Sequence, residues 1–185
     1  MNTTSQSLYT PAILSQALQA FGLSDPRPLE GVTAWVYACQ SVQGPAVLKV
    51  SHALETPPDQ LEGELDIIHF LARQGVAVAA PLASLQGNLL ETIPAADGSR
   101  FLAAASRMAP GEVLPDEDDI NLPPAALDRL LLDWGRLAGQ IDRLCKDYRQ
   151  ARPALARMHW DDEDLLWDVD AYLPRGQACI RRKVG

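Results

Sequence analysis

The sequence has few cysteines, no long apolar run and no excess of positive charge. Its three cysteines, Cys39, Cys145 and Cys179, are far apart and form no CxxC pair, so a disulfide framework or a structural zinc site is not expected. No apolar run approaches the roughly 20 residues of a membrane span, and no secretory signal is visible at the N-terminus. These absences predict a cytoplasmic protein without a membrane partner.

The charge balance excludes another class of protein. The formal net charge is −8, whereas general nucleic-acid binding needs a basic surface. The chain has 185 residues, of which 47% are hydrophobic and 22% charged, which is the balance of a globular protein with a real core. That length predicts one large domain, or one domain and part of a second.

The periodicity of apolar residues predicts an α+β fold, with an antiparallel sheet interrupted by one helix and followed by a helical part. Residues 25–28, which contain two prolines, are predicted to be a stiff connector. The predicted helices are 11–21, a second one from about 57 to 74, 123–148, and a stretch around 163–172. The predicted strands lie within residues 29–39, 46–51, 76–84, 87–93 and 100–108.

One lysine lies in the middle of a short strand pattern. Lys49 follows Val47 and Leu48 and precedes Val50, so its ammonium group is expected either on a solvent face or against an anion. Residues 61–65 then open an apolar-periodic helix that could lie across the strand. The two interpretations, a lysine that merely extends to solvent and a lysine that pairs with a helix glutamate, remain open at this point.

Several motifs, in their order along the chain, resemble those of the aminoglycoside phosphotransferase family. This family has a protein-kinase-like fold and also includes choline, type II homoserine and bacterial stress-response Ser/Thr kinases. The resemblance covers the N-terminal lobe and the first helices of the C-terminal lobe. The motifs are LEGVTAWVY at 29–37, VLKV at 47–50, EGELDIIHFL at 62–71, AAASRMAPG at 103–111 and LLDWGRLAGQI at 131–141.

The resemblance implies a division of the chain and a nucleotide site. Residues 1–108 would form a kinase-like, nucleotide-binding N-lobe, and residues 109–185 the hinge and a partial helical C-lobe. Lys49 would hold nucleotide phosphates, with Glu64 as its ion-pair partner and Glu62 as the second candidate. The implied binding residues are Lys49, Glu64, Gly31 in the phosphate-covering turn, and Ser106, Arg107 and Met108, whose backbone would meet an adenine edge.

ATP and Mg²⁺ are the cofactors that the resemblance implies, but the motif that uses them is not found in the sequence. In this family an HxD…N loop supplies an aspartate and an asparagine. The only HxD spacing is His159-Trp160-Asp161, and the residue five places further on is Leu166, which cannot bind a hard cation. No catalytic or metal-binding residue is therefore predicted within this chain, which is expected to be truncated and inactive alone.

Three functions remain open. The first is an ATP-dependent phosphotransferase acting on a hydroxyl of a small molecule or of Ser/Thr, without its catalytic loop. The second is a pseudokinase-like module that binds nucleotide or a partner protein without chemistry. The third is an interaction protein in which Lys49 and Glu64 are only a structural pair.

The helix predicted at 123–148 has an apolar stripe that includes Leu127, Leu131 and Trp134. Later helices would bury this stripe in a complete C-lobe. An exposed apolar surface promotes association, so a homo-oligomer formed through this helical surface is expected.

Overall fold

The computed structural model describes residues 8–29, 34–111 and 122–148, in which an antiparallel sheet is combined with helices. The helices are α1 (Pro11–Phe21), α2 (Pro58–Arg73) and α3 (Pro124–Asp147). The strands are β1 (Ser24–Leu29), β2 (Trp35–Ser41), β3 (Gly44–His52), β4 (Pro81–Leu82), β5 (Leu90–Pro94) and β6 (Arg100–Arg107). The predicted α+β class is confirmed.

The sheet is centred on β3 and β6. Its strand order is β1-β2-β3-β6-β4, and β5 also pairs with β6. Every one of these pairings is antiparallel. In the register, Lys49 on β3 lies opposite Val36 on β2 and Ala104 on β6. The predicted lysine strand is therefore an interior strand with a hydrogen-bonded neighbour on each side.

Helix α1 covers one face of the sheet. Ile13, Ala17 and Phe21 are buried in a core cluster with Leu48 and Phe101, at the spacing of one helix face. Gly22 ends the helix with φ of 60°, a left-handed conformation that glycine adopts without a Cβ penalty. The prediction of a helix over 11–21 capped by glycine is confirmed.

The prediction of a connector at residues 25–28 is wrong, because this segment lies within strand β1. Proline is tolerated there because β1 is an edge strand and a missing N–H on its outer side leaves no gap in a ladder. The pairing with β2 has an irregularity between Ser24 and Arg27, and Asp25 has φ of 52°. The irregularity includes Pro26, whereas Pro28 keeps a regular position opposite Tyr37.

The strands predicted at 76–84 and 87–93 are shorter than expected. Only Pro81 and Leu82 form β4, and β5 begins at Leu90. The intervening turn is built on Ser84, whose N–H donates to the Asn88 carbonyl at 2.7 Å. Because the Ser84 hydroxyl also accepts the N–H groups of Gln86 and Asn88, these backbone groups are satisfied without strand pairing.

Helices α2 and α3 lie within the predicted ranges. Residue Tyr148, directly after α3, packs its ring against Phe70 of α2 at 5.2 Å between ring centroids, and its hydroxyl donates to Asp66. On α3 itself Leu131 is 52% exposed and Trp134 68%, so the predicted apolar stripe is open within the described residues. Self-association through it stays a prediction.

The prediction of a helical stretch at 163–172 lies outside the described residues. Among the helices that are described, none is long and apolar enough to cross a membrane.

Candidate functional site

A cavity of about 240 Å³ lies between the sheet and helix α2. Strands β2, β3 and β6 form one wall, α2 forms the opposite wall, and the segment leading into β4 closes an end. Its apolar lining consists of Val36, Val47, Leu61, Leu65, Ile68, Ala79, Pro81, Ala104 and Ala105. Three polar side chains complete the lining, namely Lys49, Glu64 and Ser106.

The alternation of side chains along β3 places Lys49 in this cavity. Successive residues of a strand point to opposite faces, so Leu48 and Val50 enter the core under α1 while Val47 and Lys49 face α2. Leu48 and Val50 are 0% exposed, and Lys49 is partly exposed. The apolar residues around the lysine therefore lie in two environments, the core under α1 and the cavity under α2.

Helix periodicity places Glu64 on the opposite wall. Leu61, Glu64, Leu65 and Ile68 follow the i, i+3, i+4, i+7 spacing of one helix face, and all four line the cavity. Glu62 is not part of this lining, as expected for a position two residues away from Glu64. Of the two glutamates predicted as candidates, the geometry thus places Glu64 at the cavity.

The structure brings Lys49 and Glu64 to the same cavity but not into contact. Among the described residues, the ion pairs within 4.0 Å are all on α3, at Asp133 and Asp142. The predicted lysine–glutamate ion pair is therefore not formed. A cation and an anion on opposite walls of one cleft leave the ammonium group available to an added anion.

The three predicted hinge residues make different contacts. Ser106 lines the cavity, whereas the Arg107 N–H donates to the Ala80 carbonyl at 2.9 Å and the Met108 N–H donates to the Pro45 carbonyl at 3.0 Å. These two donors hold the end of the sheet together. Contact of this segment with an adenine edge stays a prediction, and it would have to use backbone groups other than these two N–H groups.

Gly31, the remaining predicted binding residue, lies outside the described residues. Sequence reasoning also missed most of the apolar lining. Val36, Ala79 and Ala105 come from three separate segments, and no local pattern connects them. Part of the lining could be found from local patterns. Val47 is two residues before Lys49 and so shares its face, and Leu65 and Ile68 lie on the predicted apolar face of the helix.

The chemistry of the lining suits a ligand with an apolar ring and a negative group. The small side chains of Ala79, Ala104 and Ala105 leave room between sheet and helix, and Lys49 supplies a positive charge. No group of three or more potential metal ligands occurs among the described residues. The described part of the chain therefore contains a largely apolar cavity with one cationic side chain, Lys49, in its lining.

Comparison with known proteins places this chain in a family. The profile of the phosphotransferase enzyme family matches residues 25–183, which is most of the 185-residue chain. The chain is a member of the phosphotransferase enzyme family. The resemblance noted from the motifs is thus confirmed.

Among curated proteins, an amicoumacin kinase of Bacillus subtilis (strain 168) is 33% identical over 170 residues. The match covers 91% of this chain and 48% of the relative. This chain therefore spans about half the length of the curated protein that it matches.

Two solved structures share the fold. One is the amicoumacin kinase hAmiN in complex with AMP-PNP, Ca²⁺ and Ami, with a TM-score of 0.77, 24% identity, and coverage of 100% of this chain and 57% of that one. The other is a microcompartment-associated aminopropanol kinase, with a TM-score of 0.60, 20% identity, and coverage of 94% and 57%. The sheet and helices are therefore those of a kinase-like fold, of which the described residues form an N-lobe-like α+β domain.

Proposed function

We propose that this chain is the nucleotide-binding part of an ATP-dependent phosphotransferase that acts on a hydroxyl group of a small molecule. The observation that carries the proposal is the cavity in which Lys49 and Glu64 face each other across an otherwise largely apolar lining. The residue range of the nucleotide-binding lobe would be 1–108, followed by a hinge and helical lobe at 109–185.

The size and position of the cavity support nucleotide binding. About 240 Å³ is close to the lower end of the roughly 300–1,000 Å³ of small-ligand pockets, which suits a planar ring. The ring would lie between Val36 and Val47 on one side and Ala79 on the other. The phosphates would then approach Lys49, whose ammonium group acts as a point charge for them.

Glu64 would position Lys49 once nucleotide is bound. A carboxylate across the cavity attracts the ammonium group and limits its rotamers, and this directs it to the phosphate oxygens. A bound metal ion would supply neutralisation of the phosphate charge during transfer. Because no cluster of metal ligands occurs among the described residues, the groups that bind Mg²⁺ would have to include residues outside them.

The relatives favour a small molecule as the acceptor over a protein Ser or Thr. The curated relative and both structural relatives are named as kinases of small molecules, amicoumacin and aminopropanol. An acceptor hydroxyl requires a positioned base, and the family's HxD…N loop is not represented by the His159-Trp160-Asp161 run. The identity of the acceptor is therefore left as a small hydroxyl compound.

The test is a thermal-shift titration with ATP and with its non-hydrolysable analogue. We expect both to raise the Tm of the wild-type chain, by an amount set by the ratio of ligand concentration to Kd. Lys49→Ala is expected to remove most of this stabilisation. Lys146→Ala is the matched control, because Lys146 is exposed on α3 and pairs with Asp142. Equal stabilisation of the two variants, or none of the wild type, would contradict the proposal.

A second candidate is a pseudokinase-like module that binds nucleotide without chemistry. It is favoured by the sequence, in which no HxD…N loop is found, since the only HxD spacing, His159-Trp160-Asp161, has Leu166 five residues after its aspartate. Because this chain alone is expected to be inactive under both candidates, ADP formation is measured with the complete protein in the presence of a panel of small hydroxyl compounds. Nucleotide-dependent stabilisation of the complete protein without any ADP formation would support the second candidate over the first.

A further inference from the structure

A second cavity, of about 270 Å³, lies at the end of the sheet where β4 and β6 meet the C-terminal half of α2. It shares only Pro81 with the cavity that contains Lys49. The full lining is Gln43, His69, Ala72, Arg73, Ala80, Pro81, Leu82, Ala83 and Arg107. The two cavities are therefore neighbours on opposite sides of Pro81.

The lining of this second cavity carries basic groups and no carboxylate among the described residues. His69 and Arg73 are four residues apart on α2, and so lie on one helix face. Arg107 approaches from the end of β6. Two guanidinium groups and one imidazole from two elements thus line the same cavity.

These basic groups are not neutralised by the described part of the chain. No ion pair of Arg73 or Arg107 with a carboxylate occurs there. Arg107 instead donates from Nη2 to the Gln43 side-chain oxygen at 2.9 Å. This bond between two exposed side chains orients one N–H of the guanidinium group and leaves its other N–H groups available. An oriented guanidinium loses less freedom when it binds an anion.

We propose that this cavity is a binding site for a small phosphate-type oxyanion, distinct from the nucleotide cavity. Two guanidinium forks match the paired oxygens of a tetrahedral anion, and the His69 imidazole adds a further donor. Like charges around one cavity repel each other, so a bound anion would remove that cost. Inorganic phosphate or the phosphate of a small monoester would fit the cavity volume.

Binding would link two parts of the fold. Arg73 is the last residue of α2 and Arg107 the last residue of β6, so an anion held by both would join the helix to the sheet edge. The opposite half of α2 is held by Leu61 and Leu65, which pack against Leu102 and Ala104. An occupied site would therefore anchor the half of the helix that this apolar cluster does not cover.

The experiment is an NMR titration of the chain with inorganic phosphate at constant ionic strength, in which the Arg73 and Arg107 signals are followed. We expect saturable shifts with a Kd on the order of 1 mM. Arg73→Gln and Arg107→Gln should each weaken binding about tenfold, as expected for the loss of one charge-assisted contact. Arg100→Gln is the control, since Arg100 is an exposed arginine at the other end of β6.

Two further experiments distinguish this site from the cavity that contains Lys49 and test its preference for phosphate. Lys49→Ala should leave the phosphate shifts at Arg73 and Arg107 unchanged, because Lys49 does not line the cavity. A phosphomonoester should compete with inorganic phosphate, whereas acetate should bind more weakly because it has only two oxygens. Each variant is first compared with wild type by circular dichroism and Tm, so that loss of the fold is recognised.

Linear, non-saturating shifts would overturn the proposal, as would equal weakening in Arg100→Gln or loss of binding in Lys49→Ala. Acetate binding as tightly as phosphate would overturn the assignment to phosphate-type anions. These results are independent of nucleotide binding, which the thermal-shift titration measures separately.

Discussion

The two faces of the sheet are formed by the same strands, but they differ in how closely they are packed. On the face under α1, Leu48, Val50 and Phe101 are 0% exposed and form one continuous core. On the face under α2, the buried apolar cluster is limited to a few side chains such as Leu61 and Leu102, and a cavity takes up the remaining space. The first face supplies stability, and the second supplies room for a ligand.

Phe101→Ala tests the closed face with the largest expected effect. Phe101 is fully buried and its ring contacts those of Tyr9, Trp35 and His52. Truncation should lower the free energy of unfolding by about 3–5 kcal/mol because it leaves a cavity in close packing. Urea unfolding followed by circular dichroism measures this. A loss below about 1 kcal/mol would mean that this face collapses around the gap.

A pair of neighbours on β3 compares the two faces directly. Leu48→Ala should cost about 2–5 kcal/mol, whereas Val47→Ala, on the half-exposed α2 side, should cost about 1 kcal/mol or less. The same urea experiment serves both variants. Similar losses in the two would contradict the division of the strand between a core face and a ligand face.

The hydroxyl of Tyr9 provides a smaller, pH-dependent test of the closed face. Tyr9 stacks on Trp35 with 4.2 Å between ring centroids, and its hydroxyl donates to the Tyr37 hydroxyl at 3.1 Å. Tyr9→Phe should cost about 0.5–1.5 kcal/mol at neutral pH, the net value of one hydrogen bond. Tyr37→Phe is the control, since it removes the same bond from the other side.

Burial, with the bond to Tyr37, raises the pKa of Tyr9 far above its usual value. The folded state thus favours the neutral form of Tyr9. The contribution of Tyr9 to stability is complete below a pH of about 10, the usual pKa of tyrosine. It is lost as the pH rises further, because Tyr9 then ionises in the unfolded chain. Urea midpoints measured from neutral to alkaline pH should fall less steeply for Tyr9→Phe than for the wild type. Parallel profiles would argue against a buried Tyr9 hydroxyl.

Lys49→Leu tests the α2 face and should have the smallest effect on stability. No ion pair of Lys49 is formed within the described residues, and leucine would suit an apolar cavity lining. The free energy of unfolding should change by no more than about 0.5 kcal/mol, while the Tm increase caused by ATP is lost. A large loss of stability without nucleotide would show that Lys49 is a structural residue.

Much of the fold follows from local patterns. The α1 range, its glycine cap and the lysine strand could be read from residue spacing because each depends on its own segment. Strand β1 could not, since a proline-containing run is a strand only when a neighbour pairs with it. The shortness of β4 has the same cause, because the Ser84 turn removes its flanking residues from the ladder.

The candidate site was predicted in part. Lys49 was noted from its place in a strand pattern, and Glu64 was implied by the family resemblance. The cavity contains both side chains. The absence of an ion pair between them could not be predicted, since it depends on how far α2 sits from the sheet. The hydrogen bonds that the Arg107 and Met108 N–H groups donate to the Ala80 and Pro45 carbonyls could not be predicted either, because they also depend on how separate segments are placed.

The sequence by itself determined which faces are apolar, where the lysine stands in its strand and, through the order of its motifs, the family. Periodicity encodes the apolar faces and the position of the lysine because each side chain's direction follows from its place in a helix or strand, whereas the family follows from the resemblance of the motifs. Only the tertiary structure decided that the α2 face keeps a cavity and that His69, Arg73 and Arg107 meet in a second one. Such meetings depend on distances between elements, which no spacing along the chain specifies.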